Sequence, residues 1–122
     1  MTDRTLTAVP GPHPSGATVL AVSGELDHHT APDLTEVIME MPFDAGTPVI
    51  MDLTELTYCD STGITVLVTT YKRAQASGTP LVLVGLNADL TRVLEIVGLD
   101  KFFTFRPTVE EAVETLRSSV EP

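Results

Sequence analysis

Apolar positions along this chain follow two rhythms. Short apolar runs alternate with longer stretches in which apolar residues fall three and four apart, and these spacings separate strands from helices. Thr18 to Val22 reads as a strand, with Gly24 punctuating its end. Thr30 then stands as a helix N-cap, with Pro32 in the first turn and Asp33 at an approximate capping-box position. Leu34, Val37, Ile38 and Met41 form the stripe of that helix, and Pro42 and Gly46 close it. The run from Pro48 to Leu53 is apolar almost throughout, as in a central strand covered on both faces. After a turn, Asp60 or Ser61 caps a second helix with Ile64, Leu67, Val68, Tyr71 and Ala74 inward and Gly78 at its end. Leu81 to Val84 is another buried strand. Asn87 caps a third helix with Leu90, Val93, Leu94 and Val97 inward and Gly98 at its end. Phe102 to Phe105 forms a brief last strand. Thr108 and Glu111 make the capping box of a final helix striped by Val109, Ala112, Val113, Leu116 and Val120.

The amino-terminal stretch breaks this rhythm. Pro10, Gly11, Pro12, Pro14 and Gly16 crowd the first 16 residues, which places a Pro/Gly-rich turn after a short edge strand near Leu6 to Val9. From there onward strands and helices alternate, the order of an α/β domain with a mostly parallel sheet. No repeat, low-complexity segment or linker divides the chain, so residues 1–122 read as a single domain.

Charge narrows the functions open to such a domain. Seven Lys and Arg face 17 Asp and Glu, for a net charge of −10, so neither a nucleic-acid partner nor docking on anionic membrane is expected. A protein partner with a basic patch suits this balance. Cys59 is the only cysteine, which excludes an internal disulfide and fits a reducing, cytoplasmic setting. No apolar run approaches the ~20 residues that cross a bilayer, and Met-Thr-Asp-Arg-Thr does not lead into a secretory apolar region.

In parallel sheets chemistry gathers where strands end and helices begin. Two stretches fall there: Gly24-Glu-Leu-Asp-His-His-Thr-Ala31, and Asp52 through Asp60-Ser-Thr-Gly-Ile64. Ser61 at a helix start is either a cap or a modification site, because free N–H groups there favour an anion. Gly63 without a Cβ lets another backbone approach closely. No G-x-S-x-G elbow or nearby Lys makes Ser61 a nucleophile, and no second copy of this stretch supplies an aspartic-protease pair. His28 and His29 lack the companion ligands of a metal site and read as exposed loop residues. Cys59 reads as a small buried hydrophobe. No glycine pattern calls for a nucleotide, so no cofactor is expected. Asp52, at the end of a central strand, is the phosphoacceptor of a receiver-like alternative. That alternative lacks a late-strand Lys, and only Glu25 and Asp27 imitate its metal-binding pair.

Asp52-Leu53 followed by Tyr58-Cys-Asp-Ser-Thr-Gly-Ile64 resembles the signature of STAS domains, specifically the bacterial anti-sigma factor antagonists. Gly24 to Ala31 is similar to the matching loop of the sporulation members, and Val97 to Phe103 and Val109 to Val113 fit the later pattern. The resemblance spans residues 4 to 118. Cys59, Thr65 and the Pro-rich segment before Thr18 depart from it. It implies a four- or five-stranded mixed sheet with about four helices largely on one face. It also implies a binding protein rather than an enzyme. Its unphosphorylated form would bind an anti-sigma factor that is a serine kinase, freeing a sigma factor for transcription. Phosphorylation of Ser61 would switch binding off, and a PP2C-type phosphatase would reset it. Glu25, Asp27, Asp60, Thr62, Gly63 and Ile64 then become partner-binding residues of a monomer or weak dimer, with Thr65 and Thr69 beyond them. An orphan STAS scaffold or sensor is the other reading within the family.

Overall fold

The computed structural model describes residues 5–120, with side chains through Arg117. Residues 1–4 and 121–122 of the expected domain, and the core position assigned to the Val120 side chain, lie outside what is described. The strands are β1 (Leu6–Pro12), β2 (Thr18–Leu26), β3 (Val49–Cys59), β4 (Leu81–Val84) and β5 (Thr104–Arg106), joined in one sheet in chain order. β1 runs antiparallel to β2 and every other pairing is parallel. The helices are α1 (Ala31–Glu40), α2 (Ser61–Ser77), α3 (Ala88–Ile96) and α4 (Val109–Val120). This is the mixed α/β sheet with four helices that the sequence led us to expect.

Topology explains where the helices lie. Each crossover moves one strand further in the same direction, and right-handed crossovers then deliver α1, α2 and α3 to one face. There Leu34 and Ile38 of α1, Leu67 of α2 and Leu90 of α3 pack with Leu20, Met51, Leu53 and Leu83 from the sheet. On the other face Ala112, Val113 and Leu116 of α4 cover Ile50, Val82 and Val84. The first half of β3 is therefore buried from both sides, which is why it reads as an unbroken apolar run.

Four boundaries differ from expectation. β1 continues through Pro10 and Pro12, because an edge strand can lack outward N–H groups without losing ladder bonds. The turn falls instead at His13 to Ala17, where His13 N–H donates to Ala17 O at 2.9 Å. β2 runs past Gly24 to Leu26. Gly24 sits at a register shift against β3 with φ +104°, and a Cβ there would lie 2.2 Å from Thr5 O, so the glycine is a bulge rather than a stop. β3 does not turn after Leu53 but reaches Cys59. Its polar second half has outlasted β4, which ends opposite Asp52, so exposed Thr54, Glu55, Thr57 and Tyr58 are at home there. The last strand is Thr104–Arg106. Phe102 precedes it, 55 % exposed and edge-on to Tyr71.

Two helical stripes are also corrected. In α3 only Leu90 and Leu94 are buried, whereas Val93 and Val97 face outward. Leu90 joins the core beneath the helix, while Val93 and Val97 are 40 % and 56 % exposed. In α2 the buried row is Gly63, Val66, Leu67, Thr70 and Ala74. Ile64 and Tyr71 pack at its margin, and Val68 is half-buried. Thr70 hides there because its hydroxyl donates to Val66 O at 2.8 Å.

Candidate functional site

The start of α2 is set by Asp60. Its backbone is extended (φ −96°, ψ −173°), its Oδ1 accepts the Gly63 N–H at 3.0 Å, and its carbonyl accepts the Ile64 N–H at 3.1 Å. These are the bonds of an N-cap, so of the two candidates Asp60 is the cap. Ser61 is thereby left at the first helical position, exposed. Its carbonyl accepts the Thr65 hydroxyl at 3.1 Å, and its own hydroxyl makes no hydrogen bond among the described residues. Thr62 and Ile64 are partly exposed beside it, while Gly63 turns inward. Gly63 admits side chains rather than another backbone. A Cβ there would lie 2.6 Å from Cys59 Sγ and 2.8 Å from Leu26 Cγ.

The loop from β2 to α1 forms the neighbouring wall. Asp27, expected at the surface, is 2 % exposed. Its Oδ1 accepts the N–H groups of His29 at 2.8 Å and Thr30 at 3.0 Å. Thr30 holds the N-cap position of α1 but makes no side-chain cap bond. Its hydroxyl turns back instead, donating to Glu25 O at 2.7 Å and accepting from Asp27 N–H at 2.9 Å. The two walls are joined where Asp60 N–H donates to Leu26 O at 3.1 Å. Glu25 and Leu26 lie beside Tyr58 and Cys59 in the sheet register, which brings partly exposed Glu25 and Asp60 to the same end of the molecule. The motif residues therefore converge, but two of those expected to touch a partner do not reach the surface: Asp27 braces the loop from within, and Gly63 is buried against Cys59 and Leu26. Leu26 and Thr30 are structural members of the site that the sequence reading passed over. Leu26 fell in the loop stretch after Gly24 with no role of its own, and Thr30 looked like an ordinary cap.

Asp52 lies inside β3 rather than at its end. Its Oδ1 accepts Thr54 Oγ1 at 2.6 Å and Thr54 N at 3.1 Å. The parallel strands also step in one direction, with no reversal of strand order to open a crevice. The receiver-like reading falls on both counts. The rings of exposed His28 and His29 lie 4.0 Å apart and tilted by 38°, and among the described residues no three His, Cys, Asp or Glu side chains gather to hold a metal. Shallow grooves flank the Ser61 turn. One, between α1 and α2, is lined by Pro32, Thr62, Thr65 and Thr69; the other, between β3 and α3, by Tyr58, Cys59, Asp89 and Val93.

Burial, and then the Asp60 charge, push the Cys59 thiol up to about 11. It stays protonated at neutral pH, as suits a packing group. Below the ordinary thiol value of about 8.5, folded and unfolded chains are both protonated and this contribution to stability is whole. As pH rises from there toward about 11, only the unfolded chain ionises, so stability falls. Urea unfolding between pH 8 and 11 should show this decline, and Cys59→Ala should flatten it.

Comparison with known proteins follows the same lines. The STAS domain family model matches residues 9–112. An anti-sigma-B factor antagonist of Listeria monocytogenes is 41 % identical over 78 residues, covering 64 % of this chain and 68 % of the relative. One of Staphylococcus aureus is 36 % identical over 78 residues, covering 64 % and 72 %. The crystal structure of an anti-sigma factor antagonist from Mycobacterium paratuberculosis superimposes with a TM-score of 0.82 at 30 % identity, covering 93 % of this chain and 95 % of that one. The phosphorylated form of Bacillus SpoIIAA shares the fold, with a TM-score of 0.69 at 21 % identity over 90 % and 99 %.

Proposed function

This chain belongs to the STAS domain family, and within it we propose an anti-sigma factor antagonist whose binding is gated by phosphate on Ser61. One observation carries the gate: the Ser61 hydroxyl is exposed and uncommitted at the mouth of α2, because Asp60 has taken the capping role. The unphosphorylated turn, presenting Ser61, Thr62 and Ile64 above the inward-facing Gly63, docks an anti-sigma factor that is itself a serine kinase, and a sigma factor is released. Glu25 and Asp60 supply an acidic rim. Asp27 contributes by holding the loop behind them. The kinase transfers the γ-phosphoryl group of ATP to Ser61 Oγ; an O–P bond forms, ADP leaves with the cleaved oxygen, and the hydroxyl proton passes to the kinase. A PP2C-type phosphatase hydrolyses the ester. The cycle runs in the cytoplasm, and this chain brings no catalysis of its own.

Charge supplies the switch. Phosphate adds about −1.5 to −2 charges at neutral pH. The α2 N-terminus favours it by ~0.3–1 kcal/mol in water, so the fold tolerates it. Buried against a partner beside Asp60 and Glu25, with no cation waiting, the same group costs several kcal/mol, on the order of the penalty for an unpaired buried charge. The reading is tested by incubating the protein with candidate anti-sigma kinases and ATP, then mapping phosphate by peptide mass spectrometry. A hydroxylamine-resistant phosphate on the Ser61 peptide, absent in Ser61→Ala, is expected. No mass change with a kinase that binds the chain would leave a scaffold instead.

A further inference from the structure

We infer that Thr30 is a positioning residue for the Ser61 turn, acting through Leu26. Its hydroxyl brackets Leu26, donating to the carbonyl of Glu25 on one side at 2.7 Å and accepting the N–H of Asp27 on the other at 2.9 Å. Leu26 in turn carries the start of α2. Its carbonyl accepts Asp60 N–H at 3.1 Å, and its side chain lies against Gly63, where no Cβ intervenes. One buried hydroxyl thus fixes the short backbone stretch on which the cap of α2 hangs. The Asp27 carboxylate adds a second brace by accepting the Thr30 N–H at 3.0 Å. Thr30 is 4 % exposed and Leu26 fully buried, so water cannot replace the hydroxyl cheaply if it is removed. Direct capping of α1 is not its task, since its side chain makes no cap bond.

The role of the turn in phosphorylation rests on the function proposed above; the coupling of Thr30 to the turn does not. Thr30→Val keeps the shape and loses the hydroxyl, whereas Thr30→Ser keeps the hydroxyl. Val113→Ala, in the core under α4 on the far face of the sheet, is the comparison for general destabilisation. Amide hydrogen exchange in the isolated protein should speed at least tenfold at Gly63 and Ile64 in Thr30→Val, recover in Thr30→Ser, and change little there in Val113→Ala. With an anti-sigma kinase, kcat/KM for Ser61 phosphorylation should fall about tenfold in Thr30→Val alone, at a temperature where all variants are folded. Unchanged exchange at Gly63 and Ile64, or equal acceleration in Val113→Ala, overturns the inference. Accelerated exchange with a wild-type chain that no anti-sigma kinase phosphorylates supports the inference and removes the proposed function.

Discussion

Ser61→Ala should bind the cognate anti-sigma factor about as tightly as the wild-type chain, and Ser61→Asp at least tenfold more weakly, by titration calorimetry. The two substitutions remove the same hydroxyl, so its hydrogen bonding cannot explain a difference between them. What differs is charge at the first position of α2. In the free protein Asp is favoured there by the helix N-terminus, by ~0.3–1 kcal/mol when exposed. The melting temperature of Ser61→Asp should therefore hold or rise, which separates lost binding from lost folding. In the complex the carboxylate must shed water next to Asp60 and within an acidic chain of net charge −10. Tenfold corresponds to about 1.4 kcal/mol, well inside the several kcal/mol that an unpaired buried charge costs. The phosphate, with nearly twice the charge, should weaken binding further. Association of the wild-type chain should slow as salt rises, because its acidic field steers a basic partner. Equal affinities for Ser61→Ala and Ser61→Asp would remove charge as the gate.

The sheet and the place of the Ser61 turn were legible because they rest on period and punctuation. Residues Leu81 to Val84 are apolar because two layers cover them, and Gly78 ends α2 in the left-handed conformation that its position asks for. Illegible were features in which a polar residue satisfies itself locally. Thr70 is buried by bonding to its own helix. Asp27 is buried because two backbone N–H groups and the Thr30 hydroxyl surround its carboxylate. The sequence gives no sign of either burial, since most of the partners that neutralise their polarity are backbone atoms with no letter of their own. The second half of β3 was lost for a related reason. Its mixed pattern describes a strand paired with β2 after β4 has ended, a tertiary fact that local propensity does not encode. Val93 and Val97 show the converse error, because helical spacing marks an apolar face without saying whether a neighbour covers it.

Gly63→Ala should lower the melting temperature and weaken partner binding together, against the usual gain from removing a glycine within a helix. That gain is roughly 0.5–1 kcal/mol where space is open. At Gly63 the added Cβ would stand 2.6 Å from Cys59 Sγ and 2.8 and 3.0 Å from Leu26 Cγ and Cδ2. Leu26 is fully buried and cannot swing into solvent, so the first turn of α2 must shift outward. Overpacking of this kind typically costs about 1–3 kcal/mol. Set against the helix gain, and at a few degrees per kcal/mol for a chain of this length, the melting temperature should fall by up to roughly 10 °C. Relief should be partial in Gly63→Ala combined with Cys59→Ala, which removes the sulfur while the Leu26 contact stays. The affected turn is the one that holds Ser61, so affinity for the anti-sigma factor should drop at temperatures where the variant is fully folded. A Gly63→Ala protein as stable as the wild type would show that Leu26 and the α2 start are not packed as tightly as their geometry requires. The link from Gly63 through Leu26 to the position of Ser61 would then fail.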